Sequence, residues 1–226
     1  MIAGLSKTVV LYLTPLLALT SLILSFLAFL APSLLLQDRV ALFTITPSSN
    51  SSDGTDGASL FLGLLGSCSR PTNDAAVNCT IPAFSPIYDF SDLPDDITQT
   101  LISSPPGAGA FVTMSLGLSS AFFLVYTLAS FRHKMGEKMA AAMDKPLIQR
   151  ITAWLGFMGF FFGFTTHVIV RMWFDKTVSD FNGSVSPNVK EVASIGNAFT
   201  MVWVANAFLA VPVTVSLAKL HVKASK

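Results

Sequence analysis

The chain has 226 residues, of which 52% are hydrophobic and only 12% charged, with a mean hydropathy of +0.62 and a net charge of +1. An ordinary soluble domain carries about 25% charged residues, and a soluble fold of this length needs that charge to cover its surface. The composition therefore excludes a soluble globular protein, and the near-neutral balance excludes a nucleic-acid partner.

Taken in chain order, the first apolar stretch lies between Lys7 and Asp38, thirty residues without a charge. At about 1.5 Å per residue it exceeds the roughly 30 Å hydrocarbon core, and the expected span is 8–36. A cleavable signal peptide would have an apolar region of only about 7–15 residues, so a signal anchor is the expectation. The next residues, 37–108, are too many for a bare connector. Within them 39–46 reads as a strand, 48–57 as a Ser/Asn/Asp/Gly turn region, 58–65 as a second strand and 77–84 as a third. An acidic stretch follows (Asp89, Asp92, Asp95, Asp96), and Ser103-Ser-Pro-Pro-Gly breaks the chain. Further spans are expected at 109–131, 151–173 and 192–218, joined by loops at 132–150 and 174–191.

Basic residues orient these spans. Lys7, the 132–150 loop and the residues after 218 collect nine Lys/Arg against Glu137 and Asp144, a sum of +7, while the opposite side sums to −6. The positive-inside rule places the basic side, with both termini, in the cytosol. The sequons at Asn50, Asn78 and Asn182 all fall on the other side, as glycosylation requires. So do the two cysteines of the chain, Cys68 and Cys79, in a loop whose environment permits a disulfide. Two free thiols are the alternative. Segment 135–143 is basic and apolar, and reads either as lying on the anionic inner leaflet or as a solvated helix-turn.

Few residues suggest chemistry. His133, His167 and His221 include no pair at metal-ligand spacing, no serine has a histidine and carboxylate arranged around it, and no metal or cofactor is expected. The third and fourth spans carry polar residues that are costly in lipid and should point inward. His167 and Arg171 are four apart, on one helical face, and Asn197 is expected at a similar depth. The functional reading is a polar cluster in which His167 titrates with external pH. The plainer reading is interhelical hydrogen bonding, with Arg171 reaching for the interface. Asn206 also needs an internal partner. Gly156, Gly159 and Gly163 form a small-residue stripe for close helix packing, inside the bundle or between copies.

Gly63-Leu64-Leu65-Gly66-Ser67-Cys68, followed after ten residues by Cys79, resembles the signature of the claudin superfamily of four-span proteins. Leu65 stands where claudins proper carry tryptophan, which argues against the animal tight-junction role. Ser85-Pro-Ile-Tyr88-Asp89-Phe90 and Ile195-Gly-Asn-Ala198 look more like the fungal Sur-seven and PalI tetraspans. The Fig-one type regulators of calcium uptake and mating share the Gly-Φ-Φ-Gly-x-Cys pattern and are the second family considered.

The resemblance implies an all-α, left-handed, claudin-like four-helix bundle with a small extracellular antiparallel sheet in the first outer loop. It also implies a non-enzymatic, multi-pass plasma-membrane protein that organises membrane domains, linked to cell-wall or ambient-pH responses. Its partners would be membrane lipids, other membrane proteins or further copies of itself. Open alternatives are an auxiliary or sensor subunit of another membrane protein, or a calcium-uptake or cell-fusion factor. A transporter is disfavoured, because no span carries a paired acid–base set or a broken-helix substrate site.

Overall fold

A computed structural model describes residues 2–47, 57–91, 93, 107–134, 136–184 and 191–224. The Asn50 sequon, most of the turn expected at 48–57, Asp92, Asp95, Asp96 and the break at 103–106 lie outside them. Among the described residues, four helices are long and apolar enough to cross a membrane: Leu11–Leu30, Ala108–Ser130, Pro146–Ser184 and Ala198–Leu220. The full elements are α1 (Ile2–Leu30), α2 (Ala108–Ser130), the short α3 (Glu137–Met143), α4 (Pro146–Ser184) and α5 (Ala198–Ala224). The chain divides into two compact units, one of 1–25, 111–165 and 203–226, the other of 26–110 and 166–202.

In the first unit, helices pack through a cluster of large apolar side chains, through small residues and through buried hydroxyls. Phe122, Tyr126, Leu209 and Val213 form a buried cluster with Leu155, Phe157 and Phe160 against it. The Tyr126 hydroxyl donates to Thr14 Oγ1 at 2.9 Å, Ser21 Oγ donates to the Ala205 carbonyl at 2.7 Å, and Ser115 Oγ donates to the Gly159 carbonyl at 2.7 Å. These bonds tie α1 to α2, α1 to α5 and α2 to α4. Such pairing satisfies side chains that lipid cannot. Large apolar residues such as Leu16, Leu124, Trp154, Phe161 and Val211 face outward.

The glycine stripe on α4 is where α2 comes close. A Cβ at Gly156 would stand 2.7 Å from the Phe122 ring, one at Gly159 2.7 Å from Ser119 Oγ and 3.0 Å from its backbone nitrogen, and one at Gly163 2.5 Å from Ser115 Oγ. All three glycines are therefore used within the chain. Gly159→Leu should destabilise the protein by about 1–3 kcal/mol, the usual cost of overpacking. Gly117→Leu on α2, where a Cβ meets nothing within 4 Å, is the control. Thermal unfolding in detergent compares the two; equal midpoints would refute the close approach.

The second unit is built on a five-stranded antiparallel sheet in the order β4-β3-β2-β1-β5, from β1 (Phe43–Pro47), β2 (Ser59–Leu62), β3 (Ser67–Arg70), β4 (Asn78–Cys79) and β5 (Glu191–Ile195). The sheet is larger than the three strands expected from the first long loop. The apolar run 58–65 is not one strand: it ends at Leu62, and Gly63-Leu64-Leu65-Gly66 turns the chain into β3, with Gly63 N–H donating to the Gly66 carbonyl at 2.9 Å. The expected third strand, 77–84, shortens to two residues.

β5 lies where the fourth span was expected to begin. Its pairing with β1 sets Phe43 opposite Ile195 and Ile45 opposite Ala193. The fourth helix accordingly starts at Ala198 rather than 192. Helix α4 also continues far past the expected end at 173, giving 39 residues and a length of about 58 Å at roughly 1.5 Å per residue. Its polar extension is held by an apolar face, since Val170, Phe174, Thr177 and Phe181 recur at helical spacing and are all buried. Phe174 stacks on Phe43 at 5.7 Å and lies edge-on to Phe199 at 6.4 Å. Phe43, Ile45, Leu60 and Leu62 thus form one buried face of the sheet, and Phe61 and Cys68 are buried on the other.

Candidate interaction surface

Four backbone or hydroxyl anchors hold the segment after the disulfide against the β2–β3 hairpin. Cys68 and Cys79 face each other in the β3–β4 register and are bonded as a disulfide. Just beyond, the Thr80 hydroxyl accepts from Ser67 N–H at 2.9 Å. Ala83 N–H donates to the Leu65 carbonyl at 2.8 Å. The Tyr88 hydroxyl donates to the Gly63 carbonyl at 2.8 Å, and Asp89 N–H donates to Ser67 Oγ at 2.9 Å. Every anchor lands on residues 63–67.

The Gly63-Leu64-Leu65-Gly66 turn serves as the foundation for this arrangement. Leu64 and Leu65 are buried. A Cβ at Gly63 would stand 2.5 Å from the Pro32 ring and 3.0 Å from the Ala31 carbonyl carbon, and one at Gly66 2.6 Å from Thr80 Oγ1. The glycines let the chain leaving α1, and the strap after the disulfide, approach the turn closely.

What the strap leaves outside is apolar. Tyr88 turns inward and is buried, whereas Ile81, Phe84 and Ile87 are 90%, 58% and 86% exposed. None of the three lies in any helix long and apolar enough to span. Leu34, Leu35 and Leu36, following α1, are exposed as well. Large apolar side chains pinned outward by a hydrogen-bonded, disulfide-clipped strap have the character of a contact surface. Their spacing was visible in Ile81-Pro-Ala-Phe84-Ser-Pro-Ile87, where prolines exclude a central strand and so leave the apolar residues no ladder to join.

Of the polar residues expected to cluster on the third and fourth spans, Asn197 and Arg171 engage different partners. Asn197 Nδ2 donates to the Arg39 carbonyl at 2.7 Å, and its Oδ1 accepts from Ala41 N–H at 3.4 Å. Arg171 Nε pairs with Asp175 at 2.9 Å, and its guanidinium lies 5.3 Å from the centre of the Phe199 ring. His167 is buried at 7% exposure. Asn197 therefore fastens the start of α5 to the chain leading into β1.

Ile195-Gly196-Asn197-Ala198 gains a physical meaning from this. Gly196 N–H donates to the Leu42 carbonyl at 2.9 Å and Ala198 N–H to the Ala41 carbonyl at 3.0 Å. With the Asn197 bonds, the tetrapeptide welds the β5–α5 junction to 39–42.

Of the sequon asparagines, Asn78 is exposed on β4. Asn182 uses both ends of its amide: Nδ2 donates to the Ala193 carbonyl at 3.0 Å and Oδ1 accepts from Ala193 N–H at 3.1 Å. On the strap, Ser91 N–H donates to Asp89 Oδ1 at 3.0 Å. That bond, to the backbone of Ser91, holds the Asp89 carboxyl below the usual aspartate range, so Asp89 keeps its charge through mildly acidic pH. Among the described residues, no group of three His, Cys, Asp or Glu side chains is placed to hold a metal ion.

Compared with known proteins, the chain matches no family model and no curated protein sequence.

Proposed function

We propose that this protein is a non-enzymatic, plasma-membrane organiser of the claudin-like tetraspan kind, with a left-handed helix bundle, cytosolic termini and the sheet outside the cell. Its Ser85–Phe90 and Ile195–Ala198 segments resemble the fungal Sur-seven and PalI branch, and that resemblance implies a role at the cell cortex in cell-wall or ambient-pH responses. The observation that carries the reading is the strap, where Ile81, Phe84 and Ile87 are exposed outside the spans while the backbone beneath them is pinned. A surface held this way loses little conformational freedom on contact, so its apolar area is available for lateral association. The segregation of Lys and Arg to one side supports the orientation.

Burying one exposed isoleucine contributes about 1.5–3 kcal/mol. The Ile81→Asp/Ile87→Asp pair should therefore weaken lateral association by tenfold or more. Proximity labelling and surface imaging of the full chain in its native membrane would check this. Expected is loss of stable patches, and of neighbouring tetraspans from the labelled set, with the protein still at the surface. Unchanged patches would reject the strap as the contact. Recovery of one stoichiometric channel, transporter or receptor would instead make the protein an accessory subunit.

A further inference from the structure

At the basic end of the first unit, a cavity of about 70 Å³ opens between α2, α4 and α5. One water needs roughly 10–15 Å³ measured this way, so the space suits a polyatomic group. Tyr126, Thr152 and Ser216 form its buried floor, and Ser130, Arg132 and Lys219 its rim. Among the described residues, no carboxylate lines it. Arg132 is bonded to Asp144, outside the cavity, while Lys219 Nζ rests 5.4 Å from the centre of the Tyr126 ring and, among the described residues, has no carboxylate within ion-pair distance.

The geometry points to a binding site for a phosphate group, held by Lys219 and Arg132 and accepting hydrogen bonds from the hydroxyls of Ser130 and Ser216. Two cations of different shape and a set of short hydroxyls, with the Asp144 partner of Arg132 lying outside the cavity lining, match the charge and the acceptor-only oxygens of a phosphate. Depth names the expected source. Ser130 is the last residue of one spanning segment, and Lys219 is next to last in another. The cavity therefore sits at the level of lipid headgroups, where an anionic phospholipid presents such a group.

Several basic residues lie near by in sequence, and each is drawn diffusely to an anionic leaflet. The test must separate that attraction from the cavity. The full chain is reconstituted in nanodiscs of phosphatidylcholine with graded phosphatidic acid, and the retained lipid is read by native mass spectrometry. Lys219→Met should lose about tenfold in apparent affinity, the size of one charge-assisted hydrogen bond. Lys138→Met, an exposed lysine on α3 that does not line the cavity, should change by about twofold at most, since it removes only a diffuse charge. Lys219→Arg should retain binding. Arg132→Gln combined with Asp144→Asn, which strands no carboxylate, should reproduce the loss independently of how Lys219→Met folds.

Equal losses for Lys219→Met and Lys138→Met would overturn the site and leave two cations that merely complement helix C-termini. Absence of any preference for phosphatidic acid over phosphatidylcholine would overturn it too. Competition by millimolar inorganic phosphate, dependent on Lys219, would support the site and identify a soluble phosphate as its source. Resistance to that competition would support the lipid headgroup.

Discussion

Gly196→Ala is expected to cost about 3 kcal/mol or more, at the upper end of what overpacking does. An added Cβ would stand 2.6 Å from the Ala41 carbonyl carbon and 3.1 Å from that of Leu42. Both obstacles are backbone, so no side-chain rotation relieves the clash. The strand cannot retreat either, because Gly196 and Ala198 donate to the same stretch of chain and Asn197 clamps it from both sides. Thermal unfolding in detergent, followed by size-exclusion chromatography, would show a lowered midpoint and a smaller monodisperse fraction. Gly117→Ala should leave both nearly unchanged. If the two variants behave alike, the junction is looser than these distances require. Asn197→Ala should destabilise by a smaller amount, about 0.5–1.5 kcal/mol, by removing its hydrogen bonds to the Arg39 carbonyl and the Ala41 N–H.

Loss of the Cys68–Cys79 disulfide is expected to destabilise the protein by about 3 kcal/mol, the chain-entropy value for so short a loop, given a sequence separation of 11. The effect reaches beyond the loop. Thr80, Ala83, Tyr88 and Asp89 anchor the strap to 63–67, and Cys79 fixes where that strap begins. Cys68→Ser, Cys79→Ser and the double variant should therefore show the same midpoint shift, because one bond is lost in each case. Wild type under reductant should approach them. A double variant appreciably worse than either single one would mean that the cysteines contribute separately, through packing against Ala41 and Phe61.

The four spanning helices were legible because lipid demands long uncharged runs, and little else produces thirty residues without a charge. The disulfide was legible from there being two cysteines within one loop between the first two apolar stretches. β5 was not. Val192 to Ile195 is mostly apolar and runs close up to an apolar helix, and its partner strand lies about 150 residues earlier. Only Gly196-Asn197 marks the junction, and the reason for both residues is a tertiary contact. The extension of α4 was hidden differently: Asp175, Lys176 and Asp180 read as loop, while Phe174, Thr177 and Phe181 carry the helical period beneath them. The strap was half legible. Tyr88 and Asp89 drew notice through a resemblance, but the outward-facing Ile81, Phe84 and Ile87 mattered only once the hydrogen bonds showed which residues of the segment turn inward.

The amide of Asn182 also settles how the sheet ends. β5 is an edge strand, and an edge normally offers unpaired N–H and C=O groups to any extended chain that drifts past. Here the Asn182 side chain takes both outward groups of Ala193 and acts as a one-residue counterfeit strand. At the other edge β4 is two residues long, too short to template an added strand. Among the described residues, neither edge of the sheet therefore offers a long open ladder to an added strand.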